Sequence, residues 1–209
     1  MTVSHAPIAP ARVLVLVSGK GSTMRALVEA SGDPSWGGSV VAVGADRGCE
    51  GLEWARSRAI ETFALPLARG ADREAWDREL AARVAAHEPD LVVCAGFMKL
   101  LGPAFLARFG GRVLNTHNSL LPAFPGTHAP ADALAAGVKV AGATLFVVDD
   151  GVDTGAILAQ VAVPVEEGDT PETLLERIKV AERAQLADTV GRMLREGWHT
   201  RGAAAYIGA

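Results

Sequence analysis

Cysteine is scarce in this sequence. The chain of 209 residues contains two cysteines, Cys49 and Cys94. Two thiols cannot build the disulfide framework that holds many small secreted domains together, so the composition fits a reducing compartment. Cys94 lies inside the apolar run LVVCAG, and we interpret it as a small buried hydrophobic residue rather than as a nucleophile.

Long apolar runs are absent as well. No run approaches the roughly 20 residues that a membrane-spanning helix requires. The N-terminal segment MTVSHAPIAPAR lacks the apolar core of a signal peptide. We therefore expect a cytoplasmic protein without a membrane partner.

An excess of positive charge is also missing. The chain has 20 lysine and arginine residues against 24 aspartate and glutamate residues, which gives a formal net charge of −4. Non-specific binding to nucleic acid requires a basic surface, so we expect no nucleic-acid partner. A local basic pocket for a phosphorylated small molecule is still compatible with this balance.

Metal-binding motifs are the last absence. A metal shared by His117, His128 and an aspartate is conceivable, but the spacing of these residues matches no zinc motif. We therefore predict a site without a metal.

Strand and helix patterns alternate along most of the chain. Apolar, β-branched runs such as Arg12–Val17 and Ser39–Asp46 predict strands, and the first is typical of a parallel strand covered on both faces. Asp72–Ala86 has the apolar spacing of an amphipathic helix. The alternation predicts a single α/β domain over residues 12–209, preceded by a disordered tail over residues 1–11.

The last third of the chain shows two further patterns. The runs GATLFVVD and AILAQVAVPV, separated by a short acidic turn, predict two antiparallel strands. Thr170 is predicted to cap a long helix that runs from Pro171 to about Glu196. We expect its capping box to be incomplete, because Thr173 occupies the position that Glu or Gln normally takes.

A glycine-rich turn follows the first predicted strand. The segment SGKGST, Ser18–Thr23, leads from that strand into a helix, and its two glycines allow the backbone to approach an anion. The first amides of the helix and the hydroxyls of Ser22 and Thr23 are suited to binding phosphate. The spacing matches neither a P-loop nor the full dinucleotide fingerprint, and a plain strand-to-helix turn is the alternative.

A second segment, AGFMKLLGP at Ala95–Pro103, follows another predicted strand at its C-terminal end. It contains the apolar side chains of Phe97, Met98, Leu100 and Leu101. Such side chains are suited to lining the site of a flat apolar ligand. The start of a core helix is the alternative, and the residues alone favour it.

The segment VLNTH places an amide and an imidazole at the end of a predicted strand. Asn115 and His117 are two residues apart, so their side chains point to the same face. Ligands of open α/β sheets bind at the carboxyl ends of the strands. An amide and an imidazole there are suited to polarising a carbonyl group and moving a proton. A buried histidine with a structural role is the alternative for His117.

An acidic turn, VDDGVDTG, follows the next predicted strand and contributes Asp149, Asp150 and Asp153. A carboxylate that faces His117 would orient the ring and favour its protonated form. The spacing does not indicate which aspartate does so, and an exposed hairpin turn is the alternative.

Taken in order, these motifs resemble the phosphoribosylglycinamide formyltransferase family from Arg12 to about Glu196. The markers are SGKGS, AGFMKLL, N-x-H followed by SLLP and FPGTH, and DGVDTGAIL. The resemblance implies a Rossmann-like, mostly parallel twisted sheet with helices on both faces. It also implies an N-terminal half that binds the substrate phosphate and a C-terminal half that forms the folate pocket.

The resemblance further implies an activity. The family transfers a formyl group from the co-substrate 10-formyltetrahydrofolate to the amine of N1-(5-phosphoribosyl)glycinamide in purine biosynthesis. We expect the same of this chain, as a monomer or homodimer that needs no metal. The catalytic residues that the resemblance implies are Asn115, His117 and Asp153. The substrate-binding residues are Gly21, Ser22, Thr23 and Glu182, of which the glutamate meets the glycinamide amine. The folate-binding residues are Arg73, Met98, Lys99, Leu100 and Leu101, together with Asn115.

Two positions depart from the family pattern. Asn118 follows the catalytic histidine where proline is usual. Proline would restrict the residue before it, so we expect Asn118 either to loosen the placement of His117 or to add a hydrogen bond. Thr23 stands where many relatives have asparagine, but its hydroxyl can still donate a hydrogen bond.

Other activities use much of the same apparatus. Methionyl-tRNA formyltransferase usually carries a C-terminal RNA-binding domain, and formyltetrahydrofolate hydrolase carries an N-terminal regulatory domain. We expect neither activity, because 209 residues leave no room for either domain. A non-catalytic protein that binds phosphate or folate is a further alternative.

Overall fold

The computed structural model describes residues 2–208, in which ten strands form a single sheet and six α-helices pack against it. The strands are β1 (Thr2–His5), β2 (Ala11–Val17), β3 (Gly38–Ala45), β4 (Glu61–Ala64), β5 (Leu91–Cys94), β6 (Val113–His117), β7 (Val140–Val147), β8 (Ala156–Pro164), β9 (Trp198–Arg201) and β10 (Ala204–Ile207). The helices are α1 (Ser22–Ala30), α2 (Glu50–Ser57), α3 (Arg73–Ala85), α4 (Pro103–Phe109), α5 (Ala129–Ala135) and α6 (Pro171–Glu196), with a short 3-10 helix at Pro34–Trp36. None of the helices in this range combines the length and the apolar character needed to cross a membrane.

The strand order is β1-β9-β10-β8-β7-β6-β5-β2-β3-β4. Strands β2 to β6 are parallel, and β7 and β8 extend the sheet beyond β6 as antiparallel strands. The chain builds outward from β2 to β4 and then returns to β5 on the other side of β2. The crevice at the carboxyl ends of β2 and β5 is where such a sheet binds ligands. The predicted α/β sheet and its late antiparallel pair are confirmed.

Helices cover both faces of the sheet. Alternate residues of β2 therefore point into two different cores, one on each face. Val13, Val15 and Val17 pack in one cluster with side chains of α1, α2 and α6. Leu14 and Leu16 pack in a second cluster with side chains of α3 and α4. A strand buried on both faces in this way is the arrangement that its continuous apolar run predicts.

The N-terminal segment differs from the prediction. Residues 2–5 form β1, which pairs with β9 in an antiparallel register that ends at His5↔Trp198. The His5 ring stacks on the Trp198 ring with 4.4 Å between the centroids. A strand of four residues is too short to show a periodicity, and its partner lies near the other end of the chain. The expected disorder over residues 1–11 is therefore wrong for this strand, and Met1 lies outside the described residues.

The start of α6 differs in a smaller way. The bounds Pro171–Glu196 and the cap at Thr170 are as predicted. The Thr173 N–H donates to the Thr170 hydroxyl at 3.3 Å, and the Thr170 N–H donates to the Thr173 hydroxyl at 2.9 Å. A threonine hydroxyl thus accepts the hydrogen bond that a Glu or Gln side chain normally accepts, and the capping box is complete.

Candidate active site

Strand β6 carries the amide and the imidazole that the sequence predicted together. Asn115 and His117 lie on one face of the strand, and His117 is its last residue. The His117 side chain is buried, and its Nε2 lies 2.8 Å from the carbonyl oxygen of Phe124. Because a carbonyl oxygen only accepts hydrogen bonds, this contact places a proton on Nε2.

The turn between β7 and β8 brings a carboxylate to the other nitrogen of the same ring. Asp153 Oδ2 lies 3.6 Å from His117 Nδ1 and accepts a hydrogen bond from the Gly126 N–H at 2.9 Å. The Asp153 backbone has a φ of 54°, a conformation that residues other than glycine rarely adopt. Both ring nitrogens of His117 therefore face acceptors, and a doubly protonated ring can donate to both.

The three aspartates of this turn have different environments. Asp149 Oδ1 accepts hydrogen bonds from the Gly151 N–H at 3.1 Å and from the Thr154 hydroxyl at 2.7 Å, so it stabilises the turn itself. Asp150 is exposed. Asp153 is the aspartate that lies beside His117, which is the choice that the family resemblance implies.

Asn118 is half-buried at the position where relatives usually have proline. Its Oδ1 is buried and has no hydrogen-bond partner among residues 2–208. Of the two outcomes expected for this residue, an added hydrogen bond through Oδ1 is not formed. The position of His117 is defined instead by Phe124 and Asp153.

The glycine-rich turn leads from β2 into α1, as predicted. Gly21 precedes α1 with a φ of 70°, a left-handed backbone conformation that residues with a Cβ rarely adopt, so the position favours glycine. Ser22 is exposed at the first position of the helix. No side chain caps this first turn, which leaves its backbone N–H groups available to an anion.

Thr23 faces away from this anion position. Its side chain is buried, and its hydroxyl donates to Glu182 Oε1 at 3.1 Å. Glu182 lies on α6 and is only 5% exposed. Burial raises the pKa of the Glu182 carboxyl, and the Thr23 hydroxyl offsets part of this effect. The structure thus brings the Thr23 side chain to the glutamate expected to meet the substrate amine, rather than to the phosphate position.

The segment that follows β5 is an exposed loop, because α4 begins only at Pro103. Met98 and Leu100 are 65% and 60% exposed, whereas Leu101 packs against the core on the α3 and α4 side. The Met98 N–H donates to the Ser18 hydroxyl oxygen at 2.8 Å, so the loop lies beside the glycine-rich turn. The segment therefore does not start a helix, but Phe97 is buried in the core on the α3 and α4 side, as the alternative expected for a core position. Exposed apolar side chains at this position suit a flat ring system.

Two side chains of α3 hold this loop. Arg73 donates a hydrogen bond to the Leu100 carbonyl, and its guanidinium lies over the Trp76 ring at 4.7 Å from the centroid. Asp77 is buried and accepts a hydrogen bond from the Gly102 N–H at 2.6 Å. Arg73 thus contacts the loop that carries the other expected folate-binding residues, and its role toward folate stays a prediction, whereas a role for Asp77 was not predicted.

A buried carboxylate at the same edge of the sheet was also not predicted. Asp46 directly follows β3, and its fully buried Oδ2 lies 2.7 Å from Arg47 Nη2 and 3.8 Å from Lys99 Nζ. Burial alone would raise the pKa of Asp46, but hydrogen bonds from Arg47 and Ser18 and the charges of Arg47 and Lys99 hold it below its usual value. The available signal was an aspartate that closes an apolar strand at its carboxyl end.

The metal site considered from the sequence does not assemble. His128 is exposed and contacts the Thr127 hydroxyl through Nδ1 at 3.1 Å. Across residues 2–208, no group of three or more His, Cys, Asp or Glu side chains is placed to hold a metal ion.

Comparison with known proteins assigns the chain to a family. The family model described as formyl transferase matches residues 11–190. The chain belongs to the formyl transferase family. Phosphoribosylglycinamide formyltransferase of Mycobacterium tuberculosis is 55% identical over 97% of this chain and 94% of its own length. The formyl transferase of the same name from Escherichia coli is 39% identical over 82% of each protein.

A solved structure extends the similarity to the fold. Glycinamide ribonucleotide transformylase 1 from Symbiobacterium toebii matches with a TM-score of 0.89 and 39% identity, over 95% of this chain and 94% of that one. The formyl transferase family and fold that the sequence markers predicted are therefore confirmed over nearly the whole chain.

Proposed function

We propose that the protein transfers the formyl group of 10-formyltetrahydrofolate to the amine of N1-(5-phosphoribosyl)glycinamide. The products are the N-formyl ribonucleotide and tetrahydrofolate, in a step of purine biosynthesis. The observation that carries the proposal is the pairing of His117 with Asp153 beside the strand that also presents Asn115. The identity of the acceptor follows the relatives, whose names specify phosphoribosylglycinamide.

The acceptor binds between α1 and α6. Its phosphate lies at the first turn of α1, where the backbone N–H groups of Gly21, Ser22 and Thr23 and the Ser22 hydroxyl donate hydrogen bonds. The partial positive charge of the helix N-terminus favours this dianion. Its glycinamide amine lies at Glu182, whose carboxylate accepts a hydrogen bond from it. The raised pKa of Glu182 brings its proton affinity closer to the range in which a carboxyl group exchanges protons with a substrate.

The formyl donor binds along the loop after β5. Met98 and Leu100 present exposed apolar side chains to its flat ring system, and the backbone of Lys99 and Leu101 offers hydrogen-bonding groups. Arg73 lies at the end of this loop and supplies a positive charge for the acidic end of the donor. When bound, 10-formyltetrahydrofolate supplies the formyl group.

Asn115 donates a hydrogen bond to the formyl oxygen when the amine attacks the formyl carbon, and the positive charge of the His117 ring, whose two N–H groups face Phe124 and Asp153, stabilises the negative charge that develops there. Preorganised donors of this kind act strongly because they need no reorganisation during the reaction. Asp153 balances the charge of the protonated His117 ring. A carbon–nitrogen bond to the amine forms, the bond to the donor nitrogen breaks, and one amine proton ends on that donor nitrogen. Holding both substrates together contributes about 7–11 kcal/mol in well-oriented systems.

The deciding experiment mixes the purified protein with both substrates and follows the deformylated folate by absorbance. We expect turnover that requires the ribonucleotide. Release of deformylated folate without the ribonucleotide would identify a hydrolase. Tight folate binding without any turnover would identify a binding protein.

The oligomeric state and the location belong to the same proposal. We expect a monomer or a homodimer in the cytoplasm. Light scattering coupled to size-exclusion chromatography distinguishes the two assemblies, and fractionation of the source cells tests the location.

A further inference from the structure

The buried carboxylate of Asp46 touches both segments that the proposed function assigns to substrates. Strands β3, β2 and β5 are neighbours, so the residues that follow them meet at one edge of the sheet. Asp46 follows β3, and Ser18 follows β2 and opens the turn Ser18–Thr23, which the proposed function assigns to the phosphate and which we call the phosphate turn. The loop Met98–Leu101, which the proposed function assigns to the formyl donor and which we call the donor loop, follows β5. This edge is the ligand-binding crevice of the sheet.

Two connections lead from Asp46 to adjacent residues of the donor loop. One is direct, since Lys99 Nζ lies 3.8 Å from Asp46 Oδ2. The other passes through Ser18, whose side chain lies close enough to Asp46 to lower the pKa of its carboxyl and whose hydroxyl oxygen accepts the Met98 N–H at 2.8 Å. The Ser18 N–H also donates to the Gly96 carbonyl at 3.1 Å. Asp46 therefore contacts the donor loop through Lys99 and the start of the phosphate turn through Ser18. Ser18 in turn is hydrogen-bonded to the segment after β5 at Gly96 and Met98.

A purely structural role would not require this arrangement. Arg47 already pairs with Asp46 at 2.7 Å, and a buried ion pair is by itself weak evidence for a contribution to stability. The contacts with Ser18 and Lys99 add nothing to the pairing of strands, but they define where the loop backbone lies. Met98 and Leu100, which face solvent on this loop, depend on that position.

We propose that Asp46 is a positioning residue that fixes the loop Met98–Leu101 against the phosphate turn and so sets the affinity for the formyl donor. This inference rests on the proposed function, because it takes the loop as the donor site. Asp46 itself is fully buried, so it acts through Ser18 and Lys99 rather than by touching a substrate.

The test compares Asp46→Asn with the unmodified protein. Asparagine keeps the shape and one acceptor oxygen but removes the charge that holds Lys99. We expect the KM for 10-formyltetrahydrofolate to rise about tenfold, as for loss of one charge-assisted contact, while the KM for the ribonucleotide stays within about twofold. The dissociation constant of tetrahydrofolate, measured by calorimetry, should rise by the same factor without any turnover being needed.

Asp90→Asn is the matched control. Asp90 lies at the opposite end of β2, where its carboxylate accepts the Arg12 N–H at 2.8 Å. It reports the general effect of neutralising a carboxylate at a strand end, and both KM values should stay unchanged. Ser18→Ala removes the other connection and leaves the Asp46–Arg47 pair intact, so it carries the test if Asp46→Asn unfolds in urea titrations.

The outcomes separate this inference from the proposed function. An unmodified protein that transfers formyl groups, with unchanged folate affinity in Asp46→Asn and Ser18→Ala, would overturn the positioning role alone. An equal rise of both KM values would also overturn it, because it would indicate general loosening. An unmodified protein that neither binds folate nor turns over would contradict the proposed function itself.

Discussion

His117 is held between two acceptors, the Phe124 carbonyl and the Asp153 carboxylate. If its protonated ring stabilises the formyl oxygen, His117→Ala should lower kcat by about 10²- to 10³-fold with little change in either KM. The exposed loop residue His128 provides the control, and His128→Ala should keep full activity. Steady-state kinetics of both variants decides, and near-normal turnover in His117→Ala would remove the ring from the mechanism.

Asp153 contributes a charge as well as a hydrogen-bond acceptor. Asp153→Asn retains an oxygen for the Gly126 N–H but leaves the His117 ring without a counter-charge. We expect kcat to fall about a hundredfold. Asp150→Asn removes the same charge from an exposed position on the same turn and should have little effect. Equal losses of kcat in Asp153→Asn and Asp150→Asn would indicate that the overall electrostatic field of the turn supports turnover, rather than the contact between Asp153 and His117.

Glu182 links activity to stability through its buried carboxyl. Burial raises its pKa in the folded protein above the usual value of 4.5, so the folded state holds the proton more tightly than the unfolded chain does. At pH values below 4.5 the carboxyl is largely protonated in both the folded and the unfolded state, so its ionisation costs no stability. As the pH rises through the folded-state pKa, ionisation of the buried carboxyl destabilises the fold. Glu182→Gln should accordingly be more stable than the unmodified protein at pH 7 and should lose this advantage near pH 4.

Urea unfolding at both pH values measures this difference. Glu176→Gln, which changes an exposed glutamate on the same helix, is the control and should show no such pH dependence. The Glu182→Gln variant should also bind the ribonucleotide less tightly, because a neutral amide oxygen accepts a weaker hydrogen bond from the amine than a charged carboxylate does. A lower stability of Glu182→Gln at pH 7 would contradict the destabilising effect of burial.

At the scale of secondary-structure elements, local spacing predicted what one strand presents but not what distant elements bring to it. Asn115 and His117 were predictable because alternate residues of a strand share a face. Asp153 was not predictable from spacing. Strand β7 runs antiparallel to β6 in the register Leu114↔Val147, so the acidic turn starts beside the beginning of β6 and must fold back to reach His117. The family resemblance supplied the choice that the spacing could not.

The pairing of β1 with β9 could not be predicted from local spacing either, because the two strands lie at opposite ends of the chain. This pairing leads to a prediction about stability. Removing residues 2–5 would uncover Trp198, which is 1% exposed, and would leave the edge of β9 unpaired. We expect the free energy of unfolding to fall by about 2 kcal/mol. His5→Ala keeps the strand and removes only the stacked ring, so its smaller loss separates stacking from strand pairing. A deletion without effect in urea titrations would restore the prediction of a disordered tail.

At the scale of the whole molecule, the residues of the candidate site are brought together along one continuous sheet. The phosphate turn and the donor loop follow the neighbouring strands β2 and β5, and Glu182 reaches the first of these from α6. The expected division into an N-terminal half that binds phosphate and a C-terminal half that forms the folate pocket stays a prediction. A one-dimensional pattern does not show which strands become neighbours, because that depends on the order in which the chain crosses the sheet.

The continuity of the sheet also predicts how the protein opens. Cys94 ends β5 in the middle of the sheet, and burial raises the pKa of its thiol to about 12. The thiolate is the reactive form, so Cys94 should react with an aromatic disulfide reagent only when the central strands separate. In Cys49→Ser, which removes the half-buried second thiol, the modification rate should follow the free energy of global unfolding as urea is added. Rapid modification in the absence of urea would show instead that β5 opens locally, and the crevice beside β2 would then not be a rigid binding site.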